Sequence, residues 1–234
     1  PEAAITAVIG PNGSGKSTLL HAMTGLLPLS EGSLEVKGLE PEQARNDIAY
    51  VLQHMNVSPG TPMTVQEVVS MGRYSTLGVF RRARSADKEA VRDAMGLLRI
   101  EDLADRQVFR LSGGQRQRVF VAQALAQEHS LLLMDEPLTG LDIHSAQTID
   151  HIIHEEPARG CSVVFTTHDL EEARAADHVI LVNGYVVASG PPAEALSDQN
   201  LATAYGLGLL HPETPSSHGV IDDAHDTSHL HGGV

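Results

Sequence analysis

The chain has 234 residues, enough for one α/β domain with a smaller inserted unit, and its 41% hydrophobic content supports a sizeable core. A formal charge of −14, from 16 basic and 30 acidic residues, disfavours nucleic acid as a partner over most of the surface. One cysteine, Cys161, excludes an internal disulfide and reads as a buried core residue; no apolar run nears bilayer-spanning length, and the first residues lack a basic-then-apolar signal pattern.

In chain order, the apolar run from Ala3 to Ile9 is short enough for a buried strand and stops at glycine. Gly10-Pro11-Asn12-Gly13-Ser14-Gly15-Lys16-Ser17-Thr18 then fits G-x-x-x-x-G-K-[ST] at every position. Glycines at 10, 13 and 15 let successive N–H groups converge on an anion, with a helix starting near Gly15 behind them. Lys16 would bridge terminal phosphates and Ser17 would offer its hydroxyl to Mg²⁺, so the ligand class is a nucleoside triphosphate.

Further strand-like runs at Ser33 to Lys37, Asp47 to Leu52, Leu131 to Asp135, Ser162 to Thr167 and His178 to Val182 set a βαβ rhythm, that of a mostly parallel sheet. Asn183-Gly184, between Ile180–Val182 and Tyr185–Val187, predicts a hairpin turn. The rhythm stops between Thr64 and Glu128, where Val65 to Arg73, Ser85 to Arg99 and Ser112 to Glu128 read as helices; Asp87 and Glu89 at the start of the second, and Arg99 at its end, suit the helix dipole. The expected division is a sheet domain in two parts, residues 1–63 and 129–206, a helical unit at 64–128 and a disordered tail at 207–234. That tail carries His211, His218, His225, His229 and His231.

Four further features bear on chemistry. Ser112 is a natural N-cap, and Gly113 and Gly114 leave N–H groups uncovered, with Gln115 following, which makes a second anion site. Leu131 to Glu136 is an apolar strand ending in two carboxylates: Asp135 is placed for Mg²⁺, Glu136 to orient and deprotonate a water. Gln53 follows the Asp47–Leu52 strand, where a neutral amide can reach metal and water. His168 follows another strand and can bond a γ-phosphate.

Together, GPNGSGKST, Gln53, LSGGQ, LLLMDE, Leu138–Asp142 and Thr167-His168-Asp169 resemble the nucleotide-binding subunit of an ABC transporter over residues 4–206. The resemblance implies a P-loop NTPase of RecA-like α/β fold, a mostly parallel sheet core with an inserted helical subdomain. It implies Walker A at Gly10–Thr18, a Q-loop glutamine at Gln53, a signature at Leu111–Gln115, the end of Walker B at Asp135, a catalytic Glu136, a D-loop ending at Asp142 and a switch histidine at His168. ATP and Mg²⁺ are the implied cofactors, with Lys16, Gln53, Glu136 and His168 catalytic and with Ser17, Gln53 and Asp135 on the metal. The implied partners are a second cassette in a head-to-tail dimer, a membrane permease at the cytoplasmic face and an extracytoplasmic substrate-binding protein, with no nucleic acid.

The stretch from Val69 to Asp87 is similar to that of manganese, zinc and iron importers, which points to a transition-metal ion or chelate as cargo. Met55, Val57, Met63, Tyr74, Leu77 and Phe80 would line a permease groove, with Arg81, Arg82 and Arg84 meeting phospholipid or permease acids. Family members carry a further segment before the first apolar strand, with an adenine-stacking aromatic, so an N-terminal truncation, weakened adenine recognition and an open sheet edge are expected. The alternatives are a soluble non-transport ABC ATPase, which usually needs coiled-coil insertions or a second cassette, an importer for a different substrate, and a metal-binding regulator that has lost its ATPase. His225, His229 and His231 with Asp222, Asp223 and Asp226 could hold Zn²⁺ or Mn²⁺ weakly, or form a solvated linker; His151 and His154 match no zincin pattern and read as an exposed helix face.

Overall fold

In the computed structural model, residues 1–53, 60, 62–74 and 84–206 are described. The run Leu131–Asp135 shows what organises them. Leu132 and Met134 join one apolar cluster, while Leu131 and Leu133 join another, the two-residue alternation of a strand covered on both faces. Six strands share one sheet in the order β2-β3-β4-β1-β5-β6, where β1 is Ile5–Ile9, β2 Ile48–Val51, β3 Leu131–Asp135, β4 Ser162–Thr167, β5 His178–Val182 and β6 Val186–Gly190. All neighbours pair in parallel except β5 and β6, which form the hairpin expected at Asn183-Gly184, with Gly184 at φ 73°.

Helices cover the two faces. On one side, helix α1 (Lys16–Met23) buries Leu20 with Val36, Ile48, Leu131 and Leu133; a short helix, α2 (Pro41–Ala44), adds Ala44. The expected Ser33–Lys37 strand is reduced to a bridge between Val36 and Leu39. Lys37 and Gly38 both take positive φ, 55° and 76°, so the chain reverses before a strand can extend, although Val36 still reaches the core.

Between β2 and β3 the described elements are all helical: α3 (Val65–Ser70) with a 3-10 turn at Met71–Arg73, α4 (Ser85–Leu97) and α5 (Gly113–Ala126), plus short 3-10 turns at 101–103 and 108–110. A capping box starts α3, with Thr64 and Glu67 exchanging side-chain and backbone bonds. Gly72 lets α3 and α5 approach closely, because a Cβ there would lie 2.1 Å from the Gln123 carbonyl oxygen. Arg73 ties three elements together through Asp87 (3.0 Å), the Ala126 carbonyl (3.0 Å) and Glu128 (2.9 Å). Asp87, expected to serve the dipole of α4, thus also bonds a buried guanidinium, while its other oxygen accepts from the Arg84 N–H. After β3, α6 (Ile143–Glu155) packs Ile149, Ile152 and Ile153 on the larger cluster, α7 (Leu170–Arg174) links β4 to β5, and α8 (Pro192–Ala195) and α9 (Asp198–Tyr205) follow β6.

Candidate functional site

Five parallel strands, β1 to β5, send their C-terminal ends to one edge of the sheet, the usual ligand side of such folds. From β1 the chain turns through the glycine loop into α1. Gly10 sits against β5 so tightly that a Cβ would lie 2.0 Å from the Val182 carbonyl oxygen. Gly13 and Gly15 take φ of 78° and 101°, a region that favours glycine. Lys16 is buried, and its Nζ donates to the carbonyls of Gly10 (2.9 Å) and Pro11 (3.2 Å), which holds the ammonium inside the loop. Ser14 Oγ is buried there with no hydrogen-bond partner among the described residues, an orphan polar atom in a cradle shaped for an anion. The cleft in front has a volume of about 830 Å³ and is lined by residues 10–18 with Gln53, Glu136, Thr139, His168 and Tyr205.

The second half of the site is built across β3 and β4, where Asp135 stands opposite Thr166. Thr166 Oγ1 donates to Asp135 Oδ1 at 2.5 Å and accepts the Glu136 N–H at 2.9 Å. That second bond helps to hold Glu136 at φ 46°, a left-handed conformation that costs a non-glycine residue about 1–2 kcal/mol. Gln53 Nε2 donates to Glu136 Oε2 at 2.7 Å, and His168 Nδ1 lies 3.8 Å from the same oxygen. His168 stands on an anchored turn: Thr167 Oγ1 donates to Glu172 (2.5 Å) and accepts from the Asp169 N–H (2.9 Å), while Asp169 caps α7. Burial raises the Glu172 carboxyl above its usual range against the opposing bond from Thr167, so burial outweighs that bond. Burial, with the Asp135 charge second, likewise pushes the Tyr50 hydroxyl up.

Lys16, Gln53, Glu136 and His168 therefore meet at one cleft, with the glycine loop beneath them and Asp135 directly behind Glu136. Ser112, Gly113, Gly114, Gln115 and Asp142 do not line it. Ser112 caps α5 in a reciprocal box with Gln115, Ser112 Oγ accepting from Gln115 N at 3.2 Å and Gln115 Oε1 from Ser112 N at 3.1 Å. The two glycines differ: among the described residues a Cβ on Gly113 meets nothing within 4 Å, but one on Gly114 would lie 2.3 Å from Asp142 Oδ2 and 2.5 Å from Ser145 Oγ. Asp142 itself caps α6 through Ser145, whose N–H and hydroxyl hold its carboxyl below the usual range.

Sequence reasoning missed Thr166, Thr139 and Tyr205. Thr166 left one signal, a hydroxyl at a fully buried position of the strand that leads to His168. Of the residues expected to line a permease groove, Met63 packs on the core and Tyr74 is 62% exposed; Met55, Val57, Leu77, Phe80, Arg81 and Arg82 lie outside the described residues, as do the tail histidines and aspartates. Arg84 is the N-cap of α4. His151 and His154 are exposed on α6 and pair with Glu155 (3.0 Å) and Asp150 (3.5 Å) one turn away, as an exposed helix face does.

Comparison with known proteins identifies the family. The ABC transporter family model matches residues 1–139. The chain is 40% identical over 227 residues to the zinc transport system ATP-binding protein TroB of Treponema pallidum (strain Nichols), covering 97% of this chain and 85% of that protein. It is 37% identical over 207 residues to the manganese transport system ATP-binding protein MntB of Bacillus subtilis (strain 168), covering 88% and 83%. A dimeric bacterial ABC transporter cassette superposes with a TM-score of 0.72 at 28% identity, over 82% of this chain and 87% of that one. The matched residues include the glycine loop, Gln53 and the Asp135-Glu136 pair, and the chain belongs to the ABC transporter family as one of its ATP-binding cassettes.

Proposed function

We propose that this chain is the ATP-hydrolysing subunit of a membrane importer whose cargo is a transition-metal ion or metal chelate. The observation that carries the enzymatic part is the bonded series Gln53–Glu136–Thr166–Asp135 at the mouth of the glycine-loop cleft. The cargo class rests on the zinc and manganese systems in which its relatives serve.

Lys16 and the loop N–H groups hold the triphosphate, and Ser17, Gln53 and Asp135 form a hard oxygen-donor set that suits Mg²⁺. Mg²⁺, when bound, neutralises charge on the phosphate oxygens. Glu136 accepts a proton from the attacking water, Gln53 fixes the carboxylate that does so, and His168 bonds the γ-phosphate. Asp135, tied to Thr166, keeps its carboxylate in place as Glu136 works. We assign residues 1–63 and 129–206 to the catalytic core and 64–128 to the helical unit that carries Ser112.

Since Ser112, Gly113 and Gln115 stand off the cleft of their own chain, they act on the nucleotide of a second copy packed head to tail. Two nucleotides then join the pair, and hydrolysis removes the contacts that held it, which converts bond cleavage into separation of subunits. A permease at the cytoplasmic face, served by an extracytoplasmic binding protein, receives that motion. The groove of about 520 Å³ between α3 and α4, with the exposed ring of Tyr74 on its wall, supports docking there. The test is purification with the adjoining membrane subunit and reconstitution in vesicles. ATP-dependent uptake of Mn²⁺ or Zn²⁺ is the expected result, and an ATPase indifferent to the membrane subunit, with no uptake of either ion, overturns the reading.

A further inference from the structure

At the opposite ends of the same strands three other side chains meet. His129 precedes β3 by two residues, Cys161 immediately precedes β4, and Glu156 lies in the 3-10 turn after α6; because β3 and β4 are neighbours, their N-terminal ends gather all three. One ligand atom from each lies within 4.8 Å of the other two. The side chains of His129 and Glu156 are 7% and 4% exposed, and Cys161 is 4% exposed. They form one wall of a cavity of about 360 Å³ that Leu97 and Leu125 help to enclose, which leaves room for approach.

The imidazole is oriented. Its Nδ1 lies 2.7 Å from the Gln127 carbonyl oxygen, which can only accept, so Nδ1 carries the hydrogen and Nε2 is the atom turned inward. Nε2 is buried 3.4 Å from Glu156 Oε2 and makes no hydrogen bond among the described residues. Arg159 occupies Glu156 Oε1 at 3.0 Å and leaves Oε2 facing the imidazole. Cys161 Sγ, a weak donor, reaches the Ser162 carbonyl oxygen at 3.4 Å. A buried imidazole nitrogen left without a hydrogen bond is costly unless something binds it, and here a thiol and a carboxylate oxygen stand close enough to bind the same partner.

We propose that His129 Nε2, Cys161 Sγ and Glu156 Oε2 form a binding site for a divalent transition-metal cation of the Zn²⁺ or Co²⁺ type, distinct from the ATP cleft. Thiolate and imidazole together favour such ions over Mg²⁺, Ca²⁺ and Mn²⁺, and three protein ligands leave a fourth position for water from the cavity. The Nδ1–H bond to a backbone carbonyl is the usual device that orients a ligating histidine. A bound cation pins the starts of β3 and β4 to the turn after α6, and those strands end at Asp135 and Thr167 beside the catalytic groups.

The test exploits the single cysteine of the chain. Any thiolate-to-cobalt charge-transfer band in the full-length protein reports Cys161 alone, whatever else binds the ion. Titration of the reduced, metal-free chain with Co²⁺ should produce that band and saturate it at one equivalent of the cysteine site, and Zn²⁺ should bleach it. Cys161→Ser should abolish it and His129→Ala should weaken it at least tenfold; if His129→Ala loses its far-ultraviolet circular dichroism, Glu156→Gln takes its place. Absence of the band at any excess of Co²⁺, or a band with unchanged affinity in the folded His129 or Glu156 variant, overturns the proposal.

Discussion

Replacing Glu136 by glutamine tests the reaction chemistry with little change of shape. The side chain keeps its length, and its amide oxygen can still accept the Gln53 Nε2 hydrogen bond seen at 2.7 Å. The backbone at φ 46° and its bond to Thr166 are untouched. What is lost is basicity. A general base contributes about 10²–10⁴ in rate, which at about 1.36 kcal/mol per decade is about 2.7–5.4 kcal/mol of barrier. The same change removes a negative charge beside the site of the triphosphate, so nucleotide affinity should hold or rise. The assay pairs steady-state phosphate release with equilibrium binding of a fluorescent ATP analogue. A kcat within about threefold of the parent, well short of the expected range, would refute the assignment. So would ATP binding weakened by about 100-fold or more, because it would place Glu136 in the cradle rather than on the water.

Lys16→Ala should weaken ATP binding by about 10–100-fold, the value of one or two charge-assisted hydrogen bonds, in isothermal titration; unchanged affinity would mean that the ammonium stays folded onto Gly10 and Pro11 when nucleotide arrives. Gly114→Ala should cost about 1–3 kcal/mol in urea unfolding because its Cβ strikes the Asp142–Ser145 cap, whereas Gly113→Ala should leave stability level or improved and lower ATPase activity instead. Equal destabilisation by both would remove the distinction drawn between the two glycines. Thr166→Val should cost about 1–3 kcal/mol by stranding Asp135 and the Glu136 N–H, with a fall in kcat larger than any change in KM for ATP; the same substitution with normal turnover would deny Thr166 a positioning role. Glu136→Gly should be inactive yet no less stable than the parent in thermal melts, since relief of the left-handed strain offsets the lost bond to Gln53.

The parts of this molecule that a sequence displays are those whose chemistry is local. The glycine loop announces itself because phosphate binding needs particular backbone angles within nine residues, and β3 because alternation on two buried faces leaves an unbroken apolar run. Ser112 was legible as an N-cap for the same reason. Gln53 and Glu136 were identified separately, but the bond between them joins residues 83 apart and depends on strand order, which no local pattern contains. The Ser33–Lys37 segment misled because its composition suits a strand while two consecutive positive φ angles turn it back on itself. Gly114 was read for its exposed N–H, when its missing Cβ also makes room for a cap on a helix about thirty residues later, a tertiary demand. Cys161 was legible as buried and not as a neighbour of His129, because parallel strands align their starts only once the sheet is assembled.

The central claim is that two copies share each nucleotide, the loop around Lys16 from one chain closing against the tip of α5 from the other. The most direct measurement is the structure of Glu136→Gln trapped with ATP and Mg²⁺. The account predicts a head-to-tail pair with Ser112 Oγ of each chain within hydrogen-bond distance of the γ-phosphate held at its partner's Lys16. A nucleotide-saturated chain with Ser112 far from every γ-phosphate would contradict it.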